Sequence, residues 1–137
     1  RFTARLIERQ TRLYAAEMPF VEKWRAAMGY LTADFESGYQ KVWLELSAMA
    51  WNHEEMRDRV AAVLGRWQGV LLPAFEIGLD ELAIDKERFP PDAVVTLVRT
   101  FNQGLMLEHL LGVTTGHDEL VTMIHRWLTE REDAAGT

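Results

Sequence analysis

Few residues in this chain are placed to do chemistry. The four histidines are His53, His109, His117 and His125, and no two stand at i, i+4. A helical zinc pair needs such a spacing to bring both rings over one turn. The residue three before each histidine is Ala50, Met106, Thr114 or Thr122. The Glu-x-x-His unit of carboxylate-bridged di-iron bundles is therefore absent. With no cysteine, the chain has no thiolate ligand, no cysteine nucleophile and no disulfide. Ser37 and Ser47 lie in no nucleophile elbow, and no glycine-rich phosphate loop occurs. Gly65 and Gly69 are spaced Gly-x-x-x-Gly, which in a soluble helix permits close packing. No enzyme, metal site or cofactor is expected.

The aromatic residues say more. Tryptophans stand at 24, 43, 51, 67 and 127, joined by Phe20, Phe35, Phe75 and Phe101. Core packing accounts for many of them. Yet indoles are awkward to pack completely and suit cavities that a planar or apolar guest fills. Met28, Met49, Met56 and Met106 supply an adaptable lining. Ser47 and Asn102 are polar residues on otherwise apolar faces, where one hydrogen bond would orient a guest. Glu108 and His109 read either as such an anchor or as a polar spot at an interface rim. The candidate ligand-binding residues are Trp24, Met28, Phe35, Trp43, Ser47, Trp67, Phe101 and Asn102.

Helices must position these residues. The 137-residue length suggests one domain with room for a real core. No alternating strand pattern or hairpin turn signal appears, so the fold class is all-α with about six helices. The net charge of −6 is spread along the chain, which argues against this segment holding nucleic acid by itself. Uncharged runs reach only about nine residues, short of the roughly 18 that span a bilayer. No signal-peptide pattern is visible, and a cytoplasmic location is expected. The chain opens at Arg1 inside a helical pattern, as a fragment of a longer protein would.

The first helix is expected over 1–18, with Phe2, Leu6 and Leu13 near one face. Arg1, Arg5, Arg9 and Arg12 form a basic stripe, either a solvated face or one that meets an acidic partner or neighbouring domain. Pro19 opens the second helix, expected to end near Ser37 with Gly38 as its cap. The third covers 39–51. Asn52 is expected to cap the fourth, with Glu55 three residues on. Pro73 should kink or end that helix, leaving a loose connection over 79–89.

The stretch 90–132 reads as two helices joined by a tight turn. Gly112 ends the first and Thr115 caps the second, after which the chain frays beyond Glu132. The polar line Asp92, Thr96, Arg99 and Gln103 stops at Met106, Leu107 and Leu110. A helix that apolar needs burial on nearly every side. One side would meet the chain's own core and the other a second copy. The expected dimer interface is Leu97, Leu105, Glu108, Leu120, Ile124, Trp127 and Leu128.

The order of these elements resembles the C-terminal regulatory domain of the TetR (tetracycline-repressor) family of bacterial transcription regulators. Three stretches carry the resemblance: Trp43-Leu44-Glu45-Leu46-Ser47-Ala48-Met49-Ala50, Asn52 to Arg59 continuing into Arg66-Trp67, and Gly104-Leu105-Met106-Leu107-Glu108-His109-Leu110-Leu111. It covers nearly the whole chain. The resemblance implies a helical effector-binding domain and a homodimer, the helices over 91–111 and 117–131 forming a four-helix bundle with their mates. It implies a DNA-reading helix-turn-helix upstream, which nothing in this chain matches, and DNA contact only through that missing domain. An apolar or aromatic effector would then shift the spacing of two DNA-reading heads through the 1–18 helix, with repressor action the family's usual outcome. The alternative is a dimeric helical carrier or adaptor that holds an apolar molecule or partner helix and has no DNA role.

Overall fold

A computed structural model of the chain describes residues 2–34 and 38–136, the side chains of Phe2, Thr3 and Thr32 excepted. The helices are α1 (Phe2–Ala15), α2 (Phe20–Asp34), α3 (Tyr39–Met49), α4 (Glu54–Glu81), α5 (Pro91–Leu110) and α6 (His117–Ala135). No strand occurs among the described residues, so the fold is an all-α bundle. Of the expected positions, Arg1, Phe35 and Ser37, and the side chain of Phe2, lie outside the described residues.

The axis of the bundle is α4. It lies against α5, α1 and α3, while α2 packs on α1 and α6. Of the two outcomes expected at Pro73, a kink or an end, the helix does not end there but continues over Gly78 to Glu81. Proline removes the N–H that would bond the carbonyl of Gly69. Both Pro73 and Gly69 are exposed, so water can meet that carbonyl. The opposite face buries Leu71, Ala74, Phe75 and Leu79, and that burial holds the helix on course. By length and composition alone α4 would also be long and apolar enough to cross a membrane. In this fold α1, α3 and α5 pack on it.

Tertiary contacts cap several helix ends. The Phe20 N–H at the start of α2 donates to Glu81 Oε2 at 3.0 Å. Lys23 Nζ donates to the Tyr14 carbonyl in the last turn of α1 at 2.8 Å. The end of α4 is a Schellman turn: Ala83 N–H donates to Asp80 O at 3.1 Å and Ile84 N–H to Leu79 O at 2.9 Å. Ala83 takes φ +53° to make it, a conformation that normally favours glycine. Arg131 of α6 reaches the same end, donating from Nη2 to Leu82 O at 2.9 Å and Ala83 O at 3.0 Å. A second Schellman turn closes α5 at Gly112, with φ +77°.

Three expected caps are displaced by a residue or change role. His53, in extended backbone, takes the N-cap of α4 that Asn52 was expected to fill. Gly116, at φ +81°, takes the place of Thr115. Gly38, at φ +79°, leads into α3. The last helix extends to Ala135, past the expected fraying point.

The tightest packing lies where α2 crosses α4. The rings of Phe20 and Phe75 meet edge to face, with centroids 5.1 Å apart, and Tyr14 leans on Phe75 at 6.0 Å. Gly78 makes the crossing possible, since a Cβ there would stand 2.4 Å from the Phe20 ring. Val95, Leu105 and Leu128 complete the same core. A contact between Arg25 and His125 also joins α2 to α6.

Candidate ligand-binding cavity

Above the α2–α4 crossing the packing opens. A cavity of about 130 Å³, partly open to solvent, lies among α1 to α5. Its apolar wall includes three indoles, Trp24 from α2, Trp43 from α3 and Trp67 from α4, with Met28, Leu71 and Met106 around them. Leu6, Gln10 and Tyr14 come from α1. Burial pushes the Tyr14 phenol above its ordinary value, so it presents a neutral hydroxyl.

The polar groups set this cavity apart from a core defect. Arg9 makes a two-pronged pair with Asp34, at 2.7 and 3.2 Å, and its guanidinium lies 4.2 Å from the centre of the Tyr30 ring. Several other buried polar atoms have no partner among the described residues: Gln10 Oε1, Trp24 Nε1, Gln40 Oε1, Arg99 Nε and Asn102 Oδ1. All five residues line the cavity. Gln40 is only 3% exposed, and its amide reaches the Leu31 carbonyl at 3.5 Å, the outer limit of a hydrogen bond. Leaving such groups without partners is costly, roughly 1–3 kcal/mol each in protein interiors. A polar guest or ordered water would offset that cost.

Of the residues singled out from the sequence, Trp24, Met28, Trp43, Trp67 and Asn102 line this cavity together. Ser47 does not reach it: its Oγ donates to the Trp43 carbonyl at 2.8 Å, within its own helix. Phe101 packs against the shared core. Phe35 lies outside the described residues.

The polar line expected along α5 divides. Asp92 and Thr96 are exposed, whereas Arg99 and Gln103 turn into the cavity. In the same way Arg9 leaves the basic stripe and turns inward, while Arg5 and Arg12 stay exposed. The residues missed from sequence are Arg9, Gln10, Tyr14, Gln40, Arg99 and Gln103. For two of them a signal existed: Gln40 stands three residues before Trp43, and Arg99 three before Asn102, on the faces already marked as pocket-forming. Among the described residues no group of His, Asp and Glu is arranged to hold a metal.

The expected interface residues also separate. Leu105 and Leu128 are buried in the chain's own core and are not available to a second copy. The apolar stripe of α6 is wider than one contact, and its inner edge is consumed within the chain. Leu120 and Ile124 are half-buried against that core. Leu97 and Trp127 remain outward, 67% and 49% exposed. Glu108 is exposed and pairs with His117 at 3.1 Å across the α5–α6 turn. Trp51, one of the five indoles, is 79% exposed and belongs to neither core nor cavity.

No protein-family model, curated protein or solved structure matches the chain.

Proposed function

We propose that this chain is the effector-binding and homodimerisation domain of a bacterial transcriptional regulator of the TetR kind, acting in the cytoplasm on an apolar or aromatic small molecule. The cavity carries the reading. Five helices converge on a space walled by three indoles and by buried polar atoms that lack partners. Interior packing alone gives no reason to leave so many polar atoms unmet.

Four cavity residues, Leu6, Arg9, Gln10 and Tyr14, come from α1, the helix that would join a DNA-reading head. A ligand that fits one seating of α1 better than another shifts the population between them, and with it the spacing of two heads. The dimer surface in this reading is drawn from exposed apolar residues at and near α5 and α6: Leu97, Leu107, Leu111, Met123 and Trp127. A patch of this kind, repeated about a twofold axis, is self-complementary.

The carrier reading shares the cavity and the patch. The net charge of −6, which gives this chain no electrostatic hold on DNA, favours it. A gel-shift assay with the product of the full reading frame separates the two: operator binding released by ligand is expected of a regulator, and a protein with no DNA affinity is a carrier.

For the chain itself, sedimentation at micromolar concentration should give a dimer. Leu97→Glu combined with Trp127→Ala should shift it to monomer, while Glu130→Ala leaves it unchanged. A wild-type monomer removes the dimer from the proposal. Cavity ligands should quench tryptophan emission and raise Tm by mass action.

A further inference from the structure

The charges of the cavity do not balance. Arg9 is neutralised by Asp34. Arg99, half-buried on α5, is not: no carboxylate among the described residues stands in ion-pair distance of it, and its Nε, like that of Arg9, has no hydrogen-bond partner among them. The paired carboxylates Asp34, Glu55, Asp80 and Glu108 are held by Arg9, Arg59, Lys86 and His117. A partly buried guanidinium without a counter-ion is a standing cost, and an anion removes it. The planar fork of arginine matches a carboxylate in particular. Asn102 and Gln103, one turn further along α5, line the cavity beside Arg99 and carry amide groups, and the buried Gln40 lies on α3, which packs on α5.

The size of the space narrows the choice. At about 130 Å³ the cavity is close to the roughly 150 Å³ apolar cavity known to accept one benzene ring. A steroid or a long acyl chain would extend out through its open side.

We propose that the cavity takes a small monocarboxylate, one aromatic ring or a short chain in size, with its carboxylate on the Arg99 guanidinium and its apolar body in the part walled by Trp24, Trp43 and Trp67. This deepens the effector reading above and rests on it.

The test uses acid and amide pairs of equal shape: benzoate against benzamide, and hexanoate against hexanamide. Each is titrated into the chain at neutral pH by calorimetry and by tryptophan emission. The carboxylates should bind at least tenfold tighter than their amides, and comparison of the two acids tells ring from chain. Arg99→Gln should lower carboxylate affinity at least tenfold and leave the amides within twofold, while Arg99→Lys keeps part of the preference. Thermal melts establish that each variant is folded; if Arg99→Gln does not fold, the preference of the unaltered chain decides alone. Equal affinity for acid and amide overturns the carboxylate assignment and leaves the pocket standing. Binding by none of the four overturns the pocket reading as well. A folded Arg99→Gln that loses acids and amides alike overturns the specific role of Arg99.

Discussion

Two aromatic clusters share α2 and α4 and are built on opposite principles. At the α2–α4 crossing, Phe20, Phe75 and Tyr14 close on one another, and Gly78 is cut back so that a ring can lie on the helix. The nearby helix end is capped: Glu81 takes the free N–H of Phe20, and Arg131 takes the last carbonyls of α4. A turn or more away, Trp24, Trp43 and Trp67 surround open space, and several buried polar atoms around it have no partner among the described residues. Both regions are rich in rings, so ring content does not separate a core from a site. The number of unmet polar atoms does: six cavity residues hold one, against the Arg131 Nε at the capped end. A core that has finished packing has met its donors and acceptors, and a binding site keeps some of them for the guest. Tyr14 belongs to both regions, touching Phe75 on one side and the cavity on the other.

The contrast breaks most readily at its packed end. Phe75→Ala should cost about 3–5 kcal/mol, as deletion of a buried ring does, and lower the urea midpoint accordingly. A loss below about 1 kcal/mol would mean that the crossing is no tighter than the cavity. Gly78→Ala should cost about 1–3 kcal/mol, because its Cβ must displace the Phe20 ring. Gly69→Ala on the same helix meets nothing and should instead stabilise by about 0.5–1 kcal/mol. The two alanines, moving the denaturation midpoint in opposite directions, isolate the crossing from helix propensity.

At the cavity the expected sign reverses. Gln40→Leu replaces an almost fully buried amide whose oxygen has no partner, and should raise stability by about 1 kcal/mol in a thermal melt while weakening ligand binding. A loss of stability instead would place Gln40 with the satisfied core. The smallest effect is expected at Ala83→Gly. It relieves a left-handed alanine but loosens the unfolded chain, for a net gain of about 0.5 kcal/mol. A drop in midpoint there would show that the Schellman turn needs its side chain.

Much of this could be read in the residues. The 3.6-residue spacing of Phe20, Trp24, Met28 and Leu31 placed α2 and its inner face, and Pro91 marked the start of α5. Five of the eight proposed pocket residues line the cavity because their indole, thioether and amide types already suited such a place. An end at Pro73, one of the two outcomes expected, does not occur, because local propensity carries no information on whether the lost hydrogen bond faces water. The inward turn of Arg9 and Arg99 is not legible in the basic stripe or the polar line, because long side chains on a helix edge look alike until neighbours are present. Leu105 and Leu128 were assigned outward because an apolar stripe does not say which of its edges meets its own chain.

The sequence by itself determined that this chain is helical, that it lacks the cysteine and histidine patterns of common metal sites, and which faces of its helices are apolar. Those properties depend on residue type and on spacing along one helix. The tertiary structure decided the rest: that α4 is the axis, that one aromatic cluster closes while the other stays open, and that Arg99 enters the cavity without a counter-ion among the described residues. Each of these depends on which residues from different helices meet, and the contacts that settle it join residues far apart in the chain, beyond the reach of any local pattern.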